Sequence, residues 1–353
     1  MIPSTAGVPP SAAEESNAFD LIRLCLALLV VYTHACLLGG FGEEGFEVLV
    51  QHQTGAGTFA VLGFFGISGF LVTRSFAVRQ RARPFVKSRL LRILPAFYLS
   101  LVLSAFVFAP AIAHFGSGNA TWSAAEAIRF VRDNALIRIT NWTVSDVTRG
   151  LPYPGSLNGA LWSLFPEMCC YGMVLLLGVC GWIRAGSRNL LLLTLILVGF
   201  QVAGVLAPAL TTAVPTLLRL TKWTPFVTAF LVGSSLYSFR EHLAIGARSA
   251  IVWCVVCVVL LRFGGWIIFG PVVFPLALIN LSYAFRWRLP FDLSYGTYVL
   301  HFPLLQLLVS LGLARVGFAG FLGTSVLLTL GLAMLSWHLV EAPALRLKRR
   351  QSP

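Results

Sequence analysis

Ten long apolar runs, separated by short polar segments, organise this chain. They lie near residues 19–38, 58–77, 93–113, 157–181, 189–207, 223–239, 249–263, 266–284, 293–313 and 319–340. A helix that crosses a membrane needs about 20 predominantly apolar residues, and nearly all of these runs approach that length. The pattern predicts an all-α integral membrane protein with about ten transmembrane helices in one bundle.

Composition and charge agree with a membrane protein. Of the 353 residues, 57% are hydrophobic and 11% are charged, whereas soluble domains average about 25% charged residues. The net charge of +13 does not indicate nucleic-acid binding, because the basic residues sit in short gaps between apolar runs. With the N-terminus inside, 17 basic residues fall on the cytoplasmic side and 8 outside. This bias predicts that both termini are cytoplasmic.

The two ends of the chain and its cysteines predict little chemistry. Residues 1–18 have no Lys or Arg and no hydrophobic core, so we predict a disordered tail rather than a signal peptide. Residues 19–342 form the predicted transmembrane domain, and residues 343–353 a basic cytoplasmic tail. All seven cysteines lie within apolar runs, and the Cys254-x-x-Cys257 pair has no second pair to complete a zinc site. We expect buried small hydrophobic residues and no metal.

The first run contains two ionisable residues, Arg23 and His34, eleven positions apart. Eleven residues make about three helical turns, so both side chains leave the helix along one line, about 16 Å apart. Ionisable groups inside a membrane are costly and indicate a site or a water-filled cavity. An imidazole near neutrality suits proton abstraction from a hydroxyl. The alternatives are a histidine that only packs between helices and an Arg23 that reaches the headgroups.

A basic stretch follows the second run. Arg89 and Arg92 lie three residues apart, on one face of a helix that enters the membrane. Guanidinium groups bind phosphate oxygens in a bidentate manner, so a donor with several phosphates, such as an acyl-coenzyme A, fits this pair. The alternative is that this is an ordinary cytoplasmic loop, which is basic by default.

Two later runs contain further candidates. Glu167 lies about ten residues into its span, near the level of His34, and follows Pro166. A carboxylate at that depth must be protonated or paired. Glu167 is expected to orient His34 or to pair with Arg23. The alternative is a structural role, in which Glu167 pairs with some other buried cation. His301 lies beside Tyr298 and either lines the same cavity or packs between helices.

Three other positions have structural interpretations. Glu341, at the end of the last run, is expected to pair with a cytoplasmic arginine. Ser68 lies between Gly66 and Gly69, small residues that let membrane helices approach closely, and no nucleophile elbow surrounds it. The long outer segment at residues 114–156 mixes Trp122 and Trp142 with arginines. It is predicted either to hold a sugar or to lie at the membrane interface.

Five stretches together resemble the acyltransferase family 3 of bacterial membrane proteins, over about residues 17–345. NAFDLIRLCLALLVVYTH matches the family's Arg, ten residues, His signature with Arg23 and His34. SRLLRILPAFY, after FFGISGFLVTRSF, matches Arg-x-x-Arg with Arg89 and Arg92. LWSLFPEMCCYG is similar to Leu-Trp-Ser-Leu-x-x-Glu, although Phe-Pro before the glutamate departs from many members. SYGTYVLHFP and HLVEAP resemble the last two spans.

The resemblance implies an O-acyltransferase of the bacterial inner membrane. The expected donor is a cytoplasmic acyl-CoA, usually acetyl-CoA, and the expected acceptor is a hydroxyl on a carbohydrate. Some members carry an SGNH hydrolase-like domain, and we expect this chain to work without one. The implied site residues are His34, Glu167 and Arg23 as catalytic groups, Arg89 and Arg92 for the donor, and His301, Tyr298 and Trp162 in the substrate cavity.

Several alternatives stay open at this point. A carrier or flippase also places ionisable residues within the membrane, although the basic patch at residues 79–92 and the lack of visible repeats favour an enzyme. A purely structural protein leaves Arg23, His34 and Glu167 without a reason to be buried. His34 is expected to act either as general base or as a covalent acyl carrier. Exopolysaccharide, lipopolysaccharide and a small glycosylated metabolite all fit the acceptor.

Overall fold

A computed structural model describes residues 17–116, 121–207 and 215–349. The regular structure within these ranges is entirely helical, which confirms the predicted fold class. The predicted tail at residues 1–18 lies outside the described residues except for its last two positions, and residues 350–353 of the C-terminal tail also lie outside them.

Fourteen α-helices follow one another through the described residues. Their bounds are α1 Phe19–Gly39, α2 Gly45–Leu49, α3 Ala56–Arg79, α4 Ala82–Leu103, α5 Ala109–Phe115, α6 Ala124–Asn134, α7 Leu164–Val179, α8 Arg188–Leu206, α9 Pro215–Phe239, α10 Ala247–Phe263, α11 Trp266–Ala284, α12 Ser294–Ser310, α13 Phe318–Ser336 and α14 Ala342–Arg349. Two π-helical segments, Ser104–Phe108 and Trp337–Glu341, join α4 to α5 and α13 to α14. Two 3₁₀ segments, Gly159–Ser163 and Leu313–Val316, precede α7 and α13.

Every one of the ten apolar runs coincides with a helix. Among the described residues, seven helical segments are long and apolar enough to cross a membrane, as expected for a multi-pass membrane protein. They are Phe19–Gly39, Ala56–Arg79, Ala82–Phe115, Gly159–Val179, Arg188–Leu206, Trp266–Ala284 and Phe318–Leu347. Helices α10 and α12 have 17 residues each, so the count of ten spans stays a prediction, as does the orientation of the termini.

The third predicted run begins eleven residues earlier than its apolar residues suggest. Helix α4 starts at Ala82 and continues through the π-helical segment to Phe115. Phe85, Ser88 and Ile93 are buried on it. Because the first turns of α4 contain several basic residues, the hydrophobicity pattern places the start of this helix too late. Arg89 and Arg92 therefore belong to a continuous helix rather than to a loop.

Helix α1 lies near the centre of the packing. It packs against α12 and α3, and α3 packs extensively against α9. The contact between α3 and α9 depends on glycine, since a Cβ atom at Gly69 would collide with the Phe230 carbonyl and one at Gly233 with the Gly66 carbonyl. The small residues around Ser68 thus serve close helix approach, as predicted.

Residues 121–158, which precede the 3₁₀ turn at residue 159, are folded onto the helical bundle. The Trp122 indole donates a hydrogen bond to the Ala105 carbonyl at 2.9 Å. The Gln306 amide on α12 donates to the carbonyls of Tyr153 and Ser156 at 2.9 and 2.8 Å. These bonds hold the segment against the π-helical segment Ser104–Phe108 and against α12, while the choice between a sugar-binding and an interfacial role stays a prediction.

Candidate active site

His34 of α1 lies directly against His301 of α12. His34 Nδ1 and His301 Nε2 are 2.7 Å apart, and the two rings stack with centroids 4.9 Å apart. His301 is fully buried, whereas His34 is half-buried. The Phe302 ring meets His34 edge-on at 4.9 Å and restrains the imidazole on its other side. The packing of α1 on α12 thus joins two histidines that are 267 positions apart in sequence.

The hydrogen bonds of this pair define its tautomers. His301 Nδ1 lies 3.0 Å from the Thr297 carbonyl oxygen, which only accepts, so Nδ1 carries the proton. In a neutral ring the other nitrogen, Nε2, then accepts, and His34 Nδ1–H donates to it. His34 is left with an unprotonated Nε2. That lone pair is the group a general base or a nucleophile requires.

A cationic cluster lies toward the other end of α1. Arg23 Nη1 is 3.0 Å from Asp292 Oδ2, and Arg92 Nη2 bonds to the same oxygen. Asp292 Oδ1 accepts from the Ser294 backbone N–H at 3.2 Å and from its hydroxyl at 2.6 Å. All three charged side chains are largely buried. One carboxylate therefore holds two guanidinium groups together, which leaves the trio with a net charge of +1.

Asp292 is the site residue that the sequence analysis missed. It lies in the polar segment between α11 and α12, and it is the only acidic residue between Glu241 and Glu341. A lone acid beside a span, in an otherwise basic segment, is the signal that could have found it. Burial raises the pKa of Asp292, but the adjacent Arg23 and Arg92 outweigh burial and hold the pKa well below its usual range. Asp292 is therefore ionised at neutral pH.

Glu167 belongs to a different group. Its Oε1 accepts from the Ser68 hydroxyl at 2.8 Å and from the Tyr171 hydroxyl at 2.6 Å. The expected partners, His34 and Arg23, are not its hydrogen-bond partners in the structure. The reason is register, because the 3₁₀ turn at Gly159–Ser163 makes Leu164 the first residue of α7 and turns Glu167 toward α3.

The two arginines of the Arg-x-x-Arg pair have separate environments. Arg92 binds Asp292, whereas Arg89 contacts the hydroxyls of Ser88 at 3.3 Å and Ser75 at 3.5 Å. The Arg89 guanidinium also lies 5.9 Å from the centre of the Tyr171 ring. Arg89 and Arg92 therefore lie in two different parts of the site, whereas their three-residue spacing suggested that both contact the same group of phosphates.

A narrow cavity of about 40 Å³ connects Arg23 and Arg92 with the Glu167 group. Its lining residues are Arg23, Val61, Phe64, Phe65, Ser68, Arg92, Ile93, Ser163, Leu164, Glu167, Tyr171, Ser294, Tyr295 and Tyr298. It ends at Tyr298, whose hydroxyl lies 2.6 Å from the Ser163 hydroxyl and whose ring centre is 6.3 Å from that of His301. One aromatic ring thus separates the cavity from the histidine pair.

Two predicted cavity residues do not line this cavity. His301 lies just behind Tyr298, bonded to His34. Trp162 packs against Trp223 and Phe226 at ring distances of 5.5 Å. Tyr298 is the predicted cavity residue that does line it. The 3₁₀ geometry around Trp162 directs its indole toward α9, which the sequence pattern did not indicate.

The expected pairing of Glu341 with an arginine occurs only at longer range, since Arg92 interacts with this carboxylate electrostatically without a direct ion pair. Its Oε1 accepts from the Ser336 hydroxyl at 2.8 Å, and no arginine among the described residues lies within ion-pair distance of it. The π-helical segment Trp337–Glu341 turns this carboxylate inward, against Gly296 of α12. A Cβ atom at position 296 would lie 3.0 Å from Oε1, so glycine is needed there.

One group of possible metal ligands lies away from these residues. The ligand atoms of Glu43, Glu47 and His52 lie within 4.8 Å of one another on the surface between α1 and α3. His52 Nδ1 already lies 2.8 Å from Glu43 Oε1. Exposed acidic groups often cluster in this way without a metal, and the cluster has no contact with the histidine pair.

Within this helical membrane domain a histidine pair lies beside a cationic cavity, an arrangement typical of a membrane-embedded enzyme. The chain belongs to the acyltransferase domain family, whose sequence model matches residues 16–338. It is 27% identical to an O-acetyl transferase of Shigella phage Sf6, over 96% of this chain and 98% of that protein. It is 29% identical to Nodulation protein 10 of Rhizobium leguminosarum bv. viciae, over 94% of each chain. No solved structure matches significantly.

These comparisons confirm the resemblance to acyltransferase family 3 and the prediction of an enzyme. The protein is a membrane acyltransferase, and its relatives support O-acyl transfer. The acyl group, the acceptor and the roles of individual residues are taken up next.

Proposed function

We propose that this protein transfers an acetyl group from acetyl-CoA to a hydroxyl of a carbohydrate acceptor, in the bacterial inner membrane. The name of the phage relative supports the acetyl group. The donor enters from the face where α1 begins, beside Arg23, and the acceptor reaches His34 from the opposite face. The observation that carries this proposal is the His34–His301 bond, which leaves His34 Nε2 unprotonated.

The reaction uses this lone pair. His34 Nε2 takes the proton of the acceptor hydroxyl while the oxygen attacks the thioester carbonyl carbon. The carbon–sulfur bond then breaks, and the coenzyme leaves as a thiolate that takes the proton back from His34. The acyl group ends on the acceptor oxygen and the proton on the coenzyme A sulfur, and the step requires no metal. His301 Nε2 accepts from His34 Nδ1–H throughout, so it stabilises the transient imidazolium and holds the ring in one tautomer.

The same geometry permits a covalent route. His34 Nε2 then attacks the thioester itself and carries the acyl group before an acceptor hydroxyl takes it. Both routes require the same unprotonated nitrogen. Rapid quenching near neutral pH, followed by intact-protein mass spectrometry, identifies the covalent route if wild type carries a labelled acyl group that hydroxylamine removes and that His34→Ala lacks.

The other groups of the site bind and orient the donor. Arg23 and Arg92 supply positive charge for the donor's phosphates at one end of the cavity, and Arg89 adds a positive charge beside Tyr171, outside the cavity lining. Glu167 sits midway along the cavity wall, where Ser68 and Tyr171 fix its position. Its role is to orient the donor's pantetheine arm, which contains amide N–H groups, as it passes toward His34.

An assay with labelled acetyl-CoA tests the proposal. Purified protein in nanodiscs is incubated with acetyl-CoA labelled in the acetyl group, and release of free coenzyme A is followed with and without a glycan fraction. An acyltransferase releases coenzyme A and moves the label to the glycan or to water. A carrier or flippase leaves the thioester intact, and that result would contradict the proposal.

The acceptor is identified in cells. Surface and exported glycans from strains with and without the gene are compared for O-acetyl content by mass spectrometry and NMR. Loss of O-acetyl groups from one glycan names the acceptor. Restoration by the wild-type gene, and not by a His34→Ala variant made in equal amount, ties the loss to this site.

A further inference from the structure

A second, more open pocket adjoins the cationic cluster. It is lined by Asp20, Arg288, Leu289, Pro290, Asp292 and Trp337, and its volume is about 540 Å³. Small-molecule sites commonly measure about 300–1,000 Å³. The pocket lies at the end of the bundle where α1 begins, at the segment between α11 and α12.

Asp292 is the wall shared by this pocket and the narrow cavity. It lines the open pocket, while its partners Arg23 and Arg92 line the cavity behind it. The hydrogen bonds that the described residues make to Arg23 and Arg92 use one nitrogen of each. A guanidinium has five N–H donors, so both groups keep donors for an anion. Asp292 holds two like charges side by side, which prepares them for a phosphate.

The distance along α1 indicates which part of the donor reaches this point. Arg23 and His34 are about 16 Å apart along the helix axis. In coenzyme A, thirteen bonds separate the phosphorus next to the pantetheine arm from the sulfur. An extended chain advances roughly 1.2 Å per bond, so the arm spans about 15 Å. A phosphate bound at Arg23 therefore brings the thioester to His34.

The open pocket then receives the remainder of the donor, an adenosine that carries phosphates at two positions. Trp337 presents an aromatic ring on which a base can stack, beside the apolar Leu289 and Pro290. Arg288 supplies a guanidinium at the pocket mouth for the ribose phosphate. Resting on the proposed function, we infer that this pocket binds the nucleotide end of the acyl-CoA donor, with the Arg23–Asp292–Arg92 cluster on the phosphate next to the pantetheine arm.

Nucleotide binding tests the inference directly. Wild-type protein in nanodiscs of zwitterionic lipid is titrated calorimetrically with coenzyme A and with adenosine 3′,5′-bisphosphate. We expect both to bind. Trp337→Leu weakens binding of both roughly 10-fold through lost stacking, and Arg288→Gln does so roughly 10-fold through a lost charge-assisted bond.

Two neighbouring residues provide matched controls. Trp287 is 64% exposed and Arg286 is also exposed, both on the same segment, and neither lines the pocket. Trp287→Leu and Arg286→Gln should bind both ligands as wild type does. If the pocket variants also bind as wild type does, or if the control variants weaken binding equally, the inference is overturned. Arg288→Gln keeps the test decisive should Trp337→Leu fold poorly.

Acetyl-pantetheine, which lacks the nucleotide, separates this inference from the proposed function. The pocket variants should transfer acetyl from acetyl-pantetheine at the wild-type rate while their KM for acetyl-CoA rises. If neither donor is used by wild type, the proposed function fails, whatever the titrations show. If the pocket variants lose affinity for vesicles with anionic phospholipid and keep affinity for coenzyme A, the pocket serves lipid headgroups and the inference fails alone.

Discussion

The two ends of α1 hold their ionisable side chains in opposite ways. At Arg23 the structure concentrates full charges, with two guanidinium groups sharing the Asp292 carboxylate. At His34 the hydrogen-bond partners are the Val30 carbonyl of its own helix and a second imidazole, which is fixed in turn by another backbone carbonyl. Neither histidine has a carboxylate among its hydrogen-bond partners in the described residues.

The difference matches two tasks. An anionic ligand is bound best by fixed charges whose repulsion is already balanced, which Asp292 provides. A proton is moved best by a neutral ring whose tautomer is fixed and whose free nitrogen faces the substrate. The comparison predicts that damage at the arginine end lowers stability and donor binding, whereas damage at the histidine end lowers turnover.

Removal of Asp292 should have the largest effect on the fold. Asp292→Ala removes the carboxylate to which Arg23 and Arg92 both bond, and breaking a buried ion pair in this way costs about 3–5 kcal/mol. Thermal unfolding of detergent-solubilised protein should occur at a clearly lower temperature. Asp20→Ala, at the same pocket but outside the ion-pair cluster, should change it far less. Equal unfolding temperatures for Asp292→Ala and wild type would contradict the claim that Asp292 stabilises the fold through its bonds to Arg23 and Arg92.

The pH dependence of this effect has a defined sign. The pKa of Asp292 is lowered in the folded state, so its stabilisation is complete above the unfolded-state pKa of about 4. It is lost as the pH falls through the folded-state pKa. The stability difference between wild type and Asp292→Asn should therefore be constant from about pH 5 upward and shrink in stronger acid. A difference that changes near neutral pH would contradict the assignment.

Replacement of His301 tests the histidine end of α1, where we expect an effect on turnover. His301→Ala removes the imidazole that stacks on His34 and bonds to it, which leaves the Val30 carbonyl as the remaining partner of the His34 ring. The ring then loses its fixed position, and kcat should fall about 100-fold. His338→Ala is the control, because His338 makes the same bond to a carbonyl four residues earlier but lies exposed at the end of α13. The KM for acetyl-CoA should stay near the wild-type value. A raised KM with normal kcat would contradict a positioning role.

The Glu167 group lies between the two ends and should have an intermediate effect. Tyr171→Phe and Ser68→Ala each remove one hydrogen bond to Glu167 Oε1, worth roughly 1–2 kcal/mol to a charged acceptor. Each should lower kcat/KM by about 10-fold. In the Glu167→Gln background the same changes should cost less, because the shared partner is altered. Full additivity in this double-mutant cycle would mean that the three groups act separately.

Trp162 should have the smallest effect. Since its ring packs against Trp223 and Phe226 and does not line the cavity, Trp162→Phe should change stability by less than about 1.5 kcal/mol. Its kcat and KM should match the wild type. Steady-state kinetics with acetyl-CoA check this, and a large rise in KM would restore Trp162 to the substrate cavity.

Local patterns in the sequence carried much of this picture. The apolar runs predicted the helices, and the eleven-residue spacing placed Arg23 and His34 on one face of α1. The partners of these residues come from distant segments, Asp292 and His301, which only the packing of the helices brings together. Periodicity along one helix contains no information about such pairs. The hydrogen-bond partners of Glu167 and Glu341 differ from the predicted ones for a related reason. A 3₁₀ segment just before Glu167 and a π-helical segment at Glu341 change the helix register.

The rate of acetyl transfer by a His34→Ala variant tests the central claim most directly. The variant and the wild type are purified to equal amounts of monodisperse protein with matching unfolding temperatures, and transfer of labelled acetyl from acetyl-CoA is measured. Loss of the base should lower turnover by about 10²–10⁴-fold, while calorimetric binding of coenzyme A stays at the wild-type level. Undiminished transfer by His34→Ala would contradict the account.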